Sequence, residues 1–201
     1  MNEIEKNIEN YSKYLCFLQG KLNGFFEAQS PYISCKKGCG LCCQNAEFPF
    51  SEVEFNYLVQ GSMNLTIEMQ NKVEENIAKI LQDKKEFNGE IYRYDCPFLI
   101  DNSCSIYEHR GIVCRSFGLI EASEDKAKIP FCHEKELNYS NVVDNEKKII
   151  SQEKYLALNE EKRPLAYNIN YKFLTSEKVE NEFGFKFGDK KPLIDWFIEW
   201  I

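Results

Sequence analysis

The sequence predicts a mainly α fold, a single domain with a small irregular cysteine-rich centre and few short strands. Three observations carry that expectation. Apolar residues recur at three- and four-residue spacing through two long segments, eight of the nine cysteines crowd between Cys35 and Cys132, and the extended pieces near those cysteines are short. At 201 residues, 43% hydrophobic with 15 Phe and 11 Tyr, the chain fits one domain and can bury a sizeable core. It does not need metal for want of apolar surface.

Residues 3 to 28 read as a helix, because Ile4, Ile8, Tyr11, Leu15, Leu18, Leu22 and Phe25 fall on one stripe. Pro31 closes that segment, and residues 31 to 45 form a cysteine-rich loop. Ser51-Glu52-Val53-Glu54 matches a helix-start capping box, which predicts a short helix running to Gly61. A longer helix begins near Thr66 and ends near Lys85, with Ile67, Val73, Ile77, Ile80 and Leu81 on its stripe. Residues 96–100 and 104–107 read as two short extended pieces joined by a turn at Asp101-Asn102-Ser103. Residues 108–117 hold one or two helical turns that carry Cys114. After Cys132 the chain has no cysteine, and its tail reads as helices packed around the outside of the cysteine core. The expected division is an N-terminal helix (1–30), a cysteine-cluster core (31–133) and a cysteine-free helical extension (134–201).

Charge and composition exclude several function classes. A formal charge of −7 disfavours a general nucleic-acid role, since nonspecific affinity comes from basic surface neutralising phosphates. The N-terminus is polar and acidic, unlike a secretory signal, and the apolar PLIDWFIEWI at the other end is about half the length that spans a bilayer. No membrane contact and a cytoplasmic location are therefore expected. In reducing cytosol a cysteine framework is metal-binding or catalytic rather than disulfide-bonded.

Four cysteines, Cys35, Cys39, Cys42 and Cys43, occupy the nine residues CKKGCGLCC, and Cys96, Cys104, Cys114 and Cys132 follow at wider intervals. Ordinary buried thiols scatter along a chain, so four in nine residues are not filler. Gly38 and Gly40 flank Cys39 and suggest a backbone that bends tightly enough for sulfurs to converge. Converging thiolates are what soft metals and iron–sulfur clusters require, so the cysteine-rich centre reads as a metal centre. Two stoichiometries are natural: two zinc sites of four thiolates, or one or two cubane clusters of the four-iron, four-sulfide type. Cys39-Gly40-Leu41-Cys42 has the gap of a zinc knuckle, whereas the adjacent Cys42–Cys43 pair argues against a simple knuckle, because neighbouring side chains diverge in most conformations. Cys35, Cys39 and Cys42 also share the spacing of radical S-adenosylmethionine enzymes, but the alternating strand–helix barrel those enzymes need is missing.

The order of motifs, C-x3-C-x2-C-C, then C-P-F-L, then C-S-I-Y-E-H-R, then C-R-S-F and a last cysteine, resembles the CxxCxxCC family of zinc- or iron-chelating domains, the YkgJ-type cysteine-cluster proteins. The resemblance covers roughly residues 33 to 132. It implies that Cys35, Cys39, Cys42, Cys43, Cys96, Cys104, Cys114 and Cys132 are the metal ligands. One departure is Gly111, where the family usually has proline. The leading expectation is an iron–sulfur centre serving electron transfer, sensing or a partner enzyme, with a protein partner left unidentified. The alternatives are a zinc-stabilised structural or interaction domain and an enzyme related to flagellin lysine N-methylase, whose longer chains carry a similar cluster, although no methyl-donor motif is visible here.

The remaining candidates have plainer expectations. Cys16, inside the first helix, is expected to be a small buried hydrophobe, at a cost of about 1–3 kcal/mol if made polar. His133 is expected to face solvent, with ligation beside Cys132 as the sharper alternative, and His109 is expected at the surface. Arg115 is read as a hydrogen-bond donor to cluster sulfurs or a plain salt bridge, and Tyr107 and Phe117 as walls of the centre. Trp196, Phe197 and Trp200 predict a C-terminal helix docked on the core.

Overall fold

The computed structural model describes residues 2–36, 38–124 and 126–200, the last without its side chain, so the Trp200 part of the predicted docking stripe lies outside the described residues. The fold is mainly α and a single domain, as the periodicity predicts. Helix α1 spans Glu3–Ala28. Asn2 starts it with a reciprocal cap: its side chain accepts from the Glu5 N–H at 2.8 Å, and Glu5 accepts from the Asn2 N–H at 2.9 Å. Its buried stripe is Tyr11, Tyr14, Leu15, Leu18 and Leu22, while Ile4 is left exposed. The short strand β1 (Pro49–Ser51) runs straight into α2 (Glu52–Ser62), whose start carries the Ser51/Glu54 capping box. Helix α3 follows over Ile67–Glu86, with the Thr66 hydroxyl accepting from the Met69 N–H.

Strands β2 (Leu99–Ile100) and β3 (Ser103–Cys104) form an antiparallel hairpin in which Leu99 faces Cys104. Asp101 and Asn102 both adopt positive φ, 49° and 59°, the backbone of a two-residue turn whose twist matches the paired strands. Helix α4 (Ile112–Ser116) carries Cys114, and β4 (Ile120–Glu121) leads away from it.

The tail differs from the all-helical expectation. Strands β5 (Val143–Asp144) and β6 (Ile149–Ile150) form a hairpin, because the Asp144 carboxylate accepts from the N–H groups of Glu146 and Lys147 and turns the chain there. Helix α5 (Gln152–Ala157) precedes β7 (Ala166–Tyr167), which pairs in parallel with β4. Helices α6 (Tyr171–Leu174) and α7 (Glu177–Phe183) follow, the latter stopped by Gly184 in the left-handed conformation. Strand β8 (Lys190–Pro192) pairs antiparallel with β1 and feeds α8 (Leu193–Trp200).

The tail therefore reaches inward as well as over the surface. Trp196 stacks on Phe55 at 5.5 Å and donates its indole N–H to the Phe50 carbonyl at 2.9 Å. Lys84 of α3 pairs with Asp195 of α8. One apolar cluster joins α2, α3 and α8, and Cys96, Cys104 and Cys114 pack against it. A second joins α1 to Ile112, Phe185 and Phe187. A third, around Tyr32, Ile120 and Tyr139, lies beneath the hairpin of the tail. Each buried side chain of this size contributes about 1.5–3 kcal/mol, so the helices carry their own apolar support. Among the described residues no helix is long and apolar enough to cross a membrane.

Candidate metal centre

The cysteine loop is shaped by glycines and then zipped to a distant strand. Gly38 adopts φ 93°, a conformation that side chains resist. A Cβ on Gly40 would sit 2.6 Å from both the Asn102 carbonyl oxygen and the Leu99 side chain, so the loop lies directly on the β2–β3 hairpin. Residues Leu41–Cys43 make a single 3-10 turn, closed by the Cys43 N–H to the Gly40 carbonyl at 2.9 Å. Beyond it, the Asn45 N–H donates to the Asp95 carboxylate, Ala46 bridges Tyr94, and the Cys96 N–H donates to the Cys43 carbonyl at 2.7 Å. Cys96 is thereby brought next to Cys43 although the sequence separates them by two helices.

The other thiols arrive on short elements. Cys104 closes the hairpin, Cys114 sits on α4, and Cys132 lies in a 3-10 turn over Phe131–Lys135. The start of α4 is fixed by Glu54, whose carboxylate accepts from the Ile112 N–H at 2.8 Å. Gly111 precedes it in close contact with Phe50, and a Cβ there would approach the ring to 2.5 Å.

All eight clustered cysteines, from Cys35 to Cys132, line one cavity of about 380 Å³. Within it the adjacent Cys42 and Cys43 do not diverge. Cys42 hydrogen-bonds Cys43, and Cys43 hydrogen-bonds Cys96. Their interactions divide the thiols into two neighbourhoods. Cys132 interacts with Cys35 and Cys39, whereas Cys43 interacts with Cys96 and Cys104, and Cys114 with Cys43 and Cys104. Cys42 stands between them, within reach of Cys35 on one side and of Cys43 and Cys114 on the other.

The thiols resist ionisation. Burial pushes Cys35, Cys104 and Cys114 above the usual thiol range and Cys132 up to about 12, with neighbouring sulfurs adding to the effect. Cys42 is raised first by its hydrogen bond to Cys43 and then by burial. Such groups lose their protons readily only to a cation that takes their place. Among the described residues no three Cys, His, Asp or Glu side chains stand in a ready-made ligand arrangement. The thiols share a cavity rather than a closed tetrahedron. The donor set fits a soft metal by its chemistry, and the space exceeds what one ion fills, since a water molecule occupies about 30 Å³.

The other sequence candidates fall differently. Cys16 is exposed, contrary to expectation, because it lies one residue off the Tyr11–Leu15–Leu18–Leu22 stripe and turns away from the core. His133 is buried rather than solvent-facing, with Nδ1 2.9 Å from the Pro130 carbonyl oxygen, and it does not line the cavity. His109 is half-buried, its ring centroid 4.7 Å from that of Tyr57, because Gly61 leaves room for it against α2. Arg115 lies near the thiols, but its described bonds go to the Arg110 and Glu108 carbonyls and to Gln19 Oε1. It braces the approach to α4. Tyr107 and Phe117 do line the cavity, and the Arg110 guanidinium lies 3.7 Å over the Tyr107 ring.

Sequence reasoning missed Asn138. It lies beyond the cysteine motifs, yet its amide touches Cys35 Sγ at 3.1 Å. No local spacing signals a contact 103 residues apart in the chain.

Residues 34–133 match the family model described as "CxxCxxCC: Putative zinc- or iron-chelating domain". No curated protein and no solved structure matches the chain.

Proposed function

The chain belongs, through residues 34–133, to the CxxCxxCC family of chelating domains, and from that premise we propose that it holds an iron–sulfur centre on its clustered cysteines and serves electron transfer, sensing or a partner enzyme. One observation carries this reading: eight thiols from five separate motifs of the chain line a single cavity of about 380 Å³. Zinc bound structurally favours closed sites in which four donors surround one ion. An open sulfur-lined space of this size suits a polynuclear centre better.

The two thiol neighbourhoods extend the proposal to ligand sharing. Cys35, Cys39 and Cys132 form one group, Cys43, Cys96, Cys104 and Cys114 the other, and Cys42 is available to complete the first. When bound, the metal supplies redox capacity or Lewis acidity. Tyr107 and Phe117 give the cavity part of its apolar wall, and short elements joined by backbone hydrogen bonds hold the thiols. The 3-10 turn at Leu41–Cys43 favours zinc as the second reading, since it follows directly on Cys39-Gly40 and so gives the two-residue Cys39–Cys42 gap of a knuckle a turned backbone.

Metal and sulfide analysis of anaerobically purified protein separates the two. Iron with inorganic sulfide, and a brown absorption that bleaches with dithionite, supports the iron–sulfur reading. Stoichiometric zinc without sulfide overturns it.

A further inference from the structure

We propose that Asn138 positions and tunes Cys35 by donating a hydrogen bond to its sulfur, an assignment that rests on Cys35 being a metal ligand. Asn138 belongs to the cysteine-free extension, beyond the family segment 34–133. It is 1% exposed, so its amide must find partners within the protein. The Oδ1 atom accepts from the Ser34 N–H at 2.7 Å, and Nδ2 donates to the Gly118 carbonyl at 2.8 Å. A backbone N–H can only donate and a carbonyl can only accept, so these two bonds fix which way the amide faces. The second hydrogen on Nδ2 is then left for Cys35 Sγ, 3.1 Å away.

Gly118 makes the approach possible. It adopts φ +105°, and a Cβ at that position would lie 2.6 Å from Cys35 Sγ and 2.8 Å from Asn138 Nδ2. The glycine thus leaves open the space through which amide and sulfur meet. Asn138 joins the residue before Cys35, the turn after α4 and the start of the tail at one sulfur. An N–H directed at a bound thiolate spreads its charge, fixes its rotamer and raises the potential of a redox centre. A side chain serving only as a backbone clamp would need the Ser34 and Gly118 bonds and nothing at the sulfur.

The test compares the wild-type chain with Asn138→Ala after anaerobic loading with iron and sulfide, and separately with Co2+ as a spectroscopic probe. Asn138→Ala is expected to bind about 10–100-fold more weakly. Its thiolate-to-cobalt charge-transfer band should shift, and the iron-loaded form should be reduced at a lower potential than wild type. Asn138→Ser, also neutral and unable to reach the sulfur, carries the same expectations if the alanine variant does not fold. Weaker binding with an unchanged band and potential would reveal a clamp and overturn the assignment. A loaded wild type indistinguishable from the variants overturns the assignment alone. A wild-type chain that takes up neither iron nor cobalt overturns the ligand reading and this assignment together.

Discussion

Glu54 of α2 accepts the backbone N–H of Ile112, the first residue of the helix that carries Cys114, at 2.8 Å. The same fully buried carboxylate accepts from the Ser51 N–H and hydroxyl and from the Tyr171 hydroxyl. It is at once the N3 partner of Ser51 in the capping box of α2 and the anchor of α4. Burial pushes its pKa up, above the usual carboxylate range, and the four hydrogen bonds pull the other way.

Removing that carboxylate strands donors that water cannot reach. Glu54→Ala leaves the buried Ile112 and Ser51 N–H groups without their acceptor, and each buried orphan costs about 1–3 kcal/mol. We expect a loss of about 3 kcal/mol in urea unfolding, together with lower metal content as α4 loosens around Cys114. A loss below about 1 kcal/mol, with full metal content, would show that Ser51 and Ile112 find other partners.

The raised thiols predict stability slopes of opposite sign with and without metal. In the metal-free fold, Cys104, Cys114 and Cys132 keep their protons at pH values where the unfolded chain, with thiols near about 8.5, has lost them. Metal-free stability is then fully present below about pH 8.5 and declines as pH rises toward the folded values, by up to about 1.4 kcal/mol per pH unit for each such thiol. With metal bound the native thiolates carry no protons, while the unfolded chain still takes them up below about pH 8.5, so stability falls as pH falls. Urea unfolding between about pH 6 and pH 10 of the chelated and loaded protein measures both slopes. Slopes of the same sign would contradict the assignment of these thiols as ligands.

Where a feature is encoded within one or two turns of chain, the sequence is readable. The span of α1 follows from its apolar stripe, α2 from its capping box, and the β2–β3 hairpin from Asp101-Asn102-Ser103. Pairings such as Phe50 with Lys191, or Ile120 with Ala166, involve strands of two or three residues, too short to show an alternating pattern. Their register comes from tertiary packing. Which cysteines crowd together could be anticipated from the motif order, but the meeting of Cys43 with Cys96 depends on the Asp95 and Tyr94 bridges, which no spacing rule reports. Cys16 and His133 depart from the sequence expectation for a related reason: one residue of helical phase exposes the first, and a turn around Pro130 buries the second.

Chelation should loosen the centre selectively. Helix α1 has a capping box and a stripe packed on Phe185 and Phe187, whereas residues 35–45 are held largely by turns. Metal that joins ligands from distant stretches contributes its binding energy to their folding. We expect amide exchange to quicken in residues 35–45 and 96–114 after chelator treatment, with α1 still protected. Equal protection of both regions with and without metal would rule out a structural contribution from it.

Cysteine variants read out the two neighbourhoods directly. Cys16 is exposed and does not line the cavity, so Cys16→Ser should change stability by less than about 0.5 kcal/mol and leave metal content at the wild-type level. Cys39→Ser replaces a soft donor near Cys35 and Cys132 with a harder, far less acidic oxygen and should lower metal occupancy. Cys43→Ser removes a buried thiol bonded to both Cys42 and Cys96, and should affect the group that includes Cys104 and Cys114. If the groups hold separate centres, each of these two variants keeps part of the wild-type metal, and the double variant loses the rest. Complete loss from either single variant would mean that all eight thiols serve one centre, and loss from Cys16→Ser equal to that from Cys39→Ser would remove the cavity as the metal site.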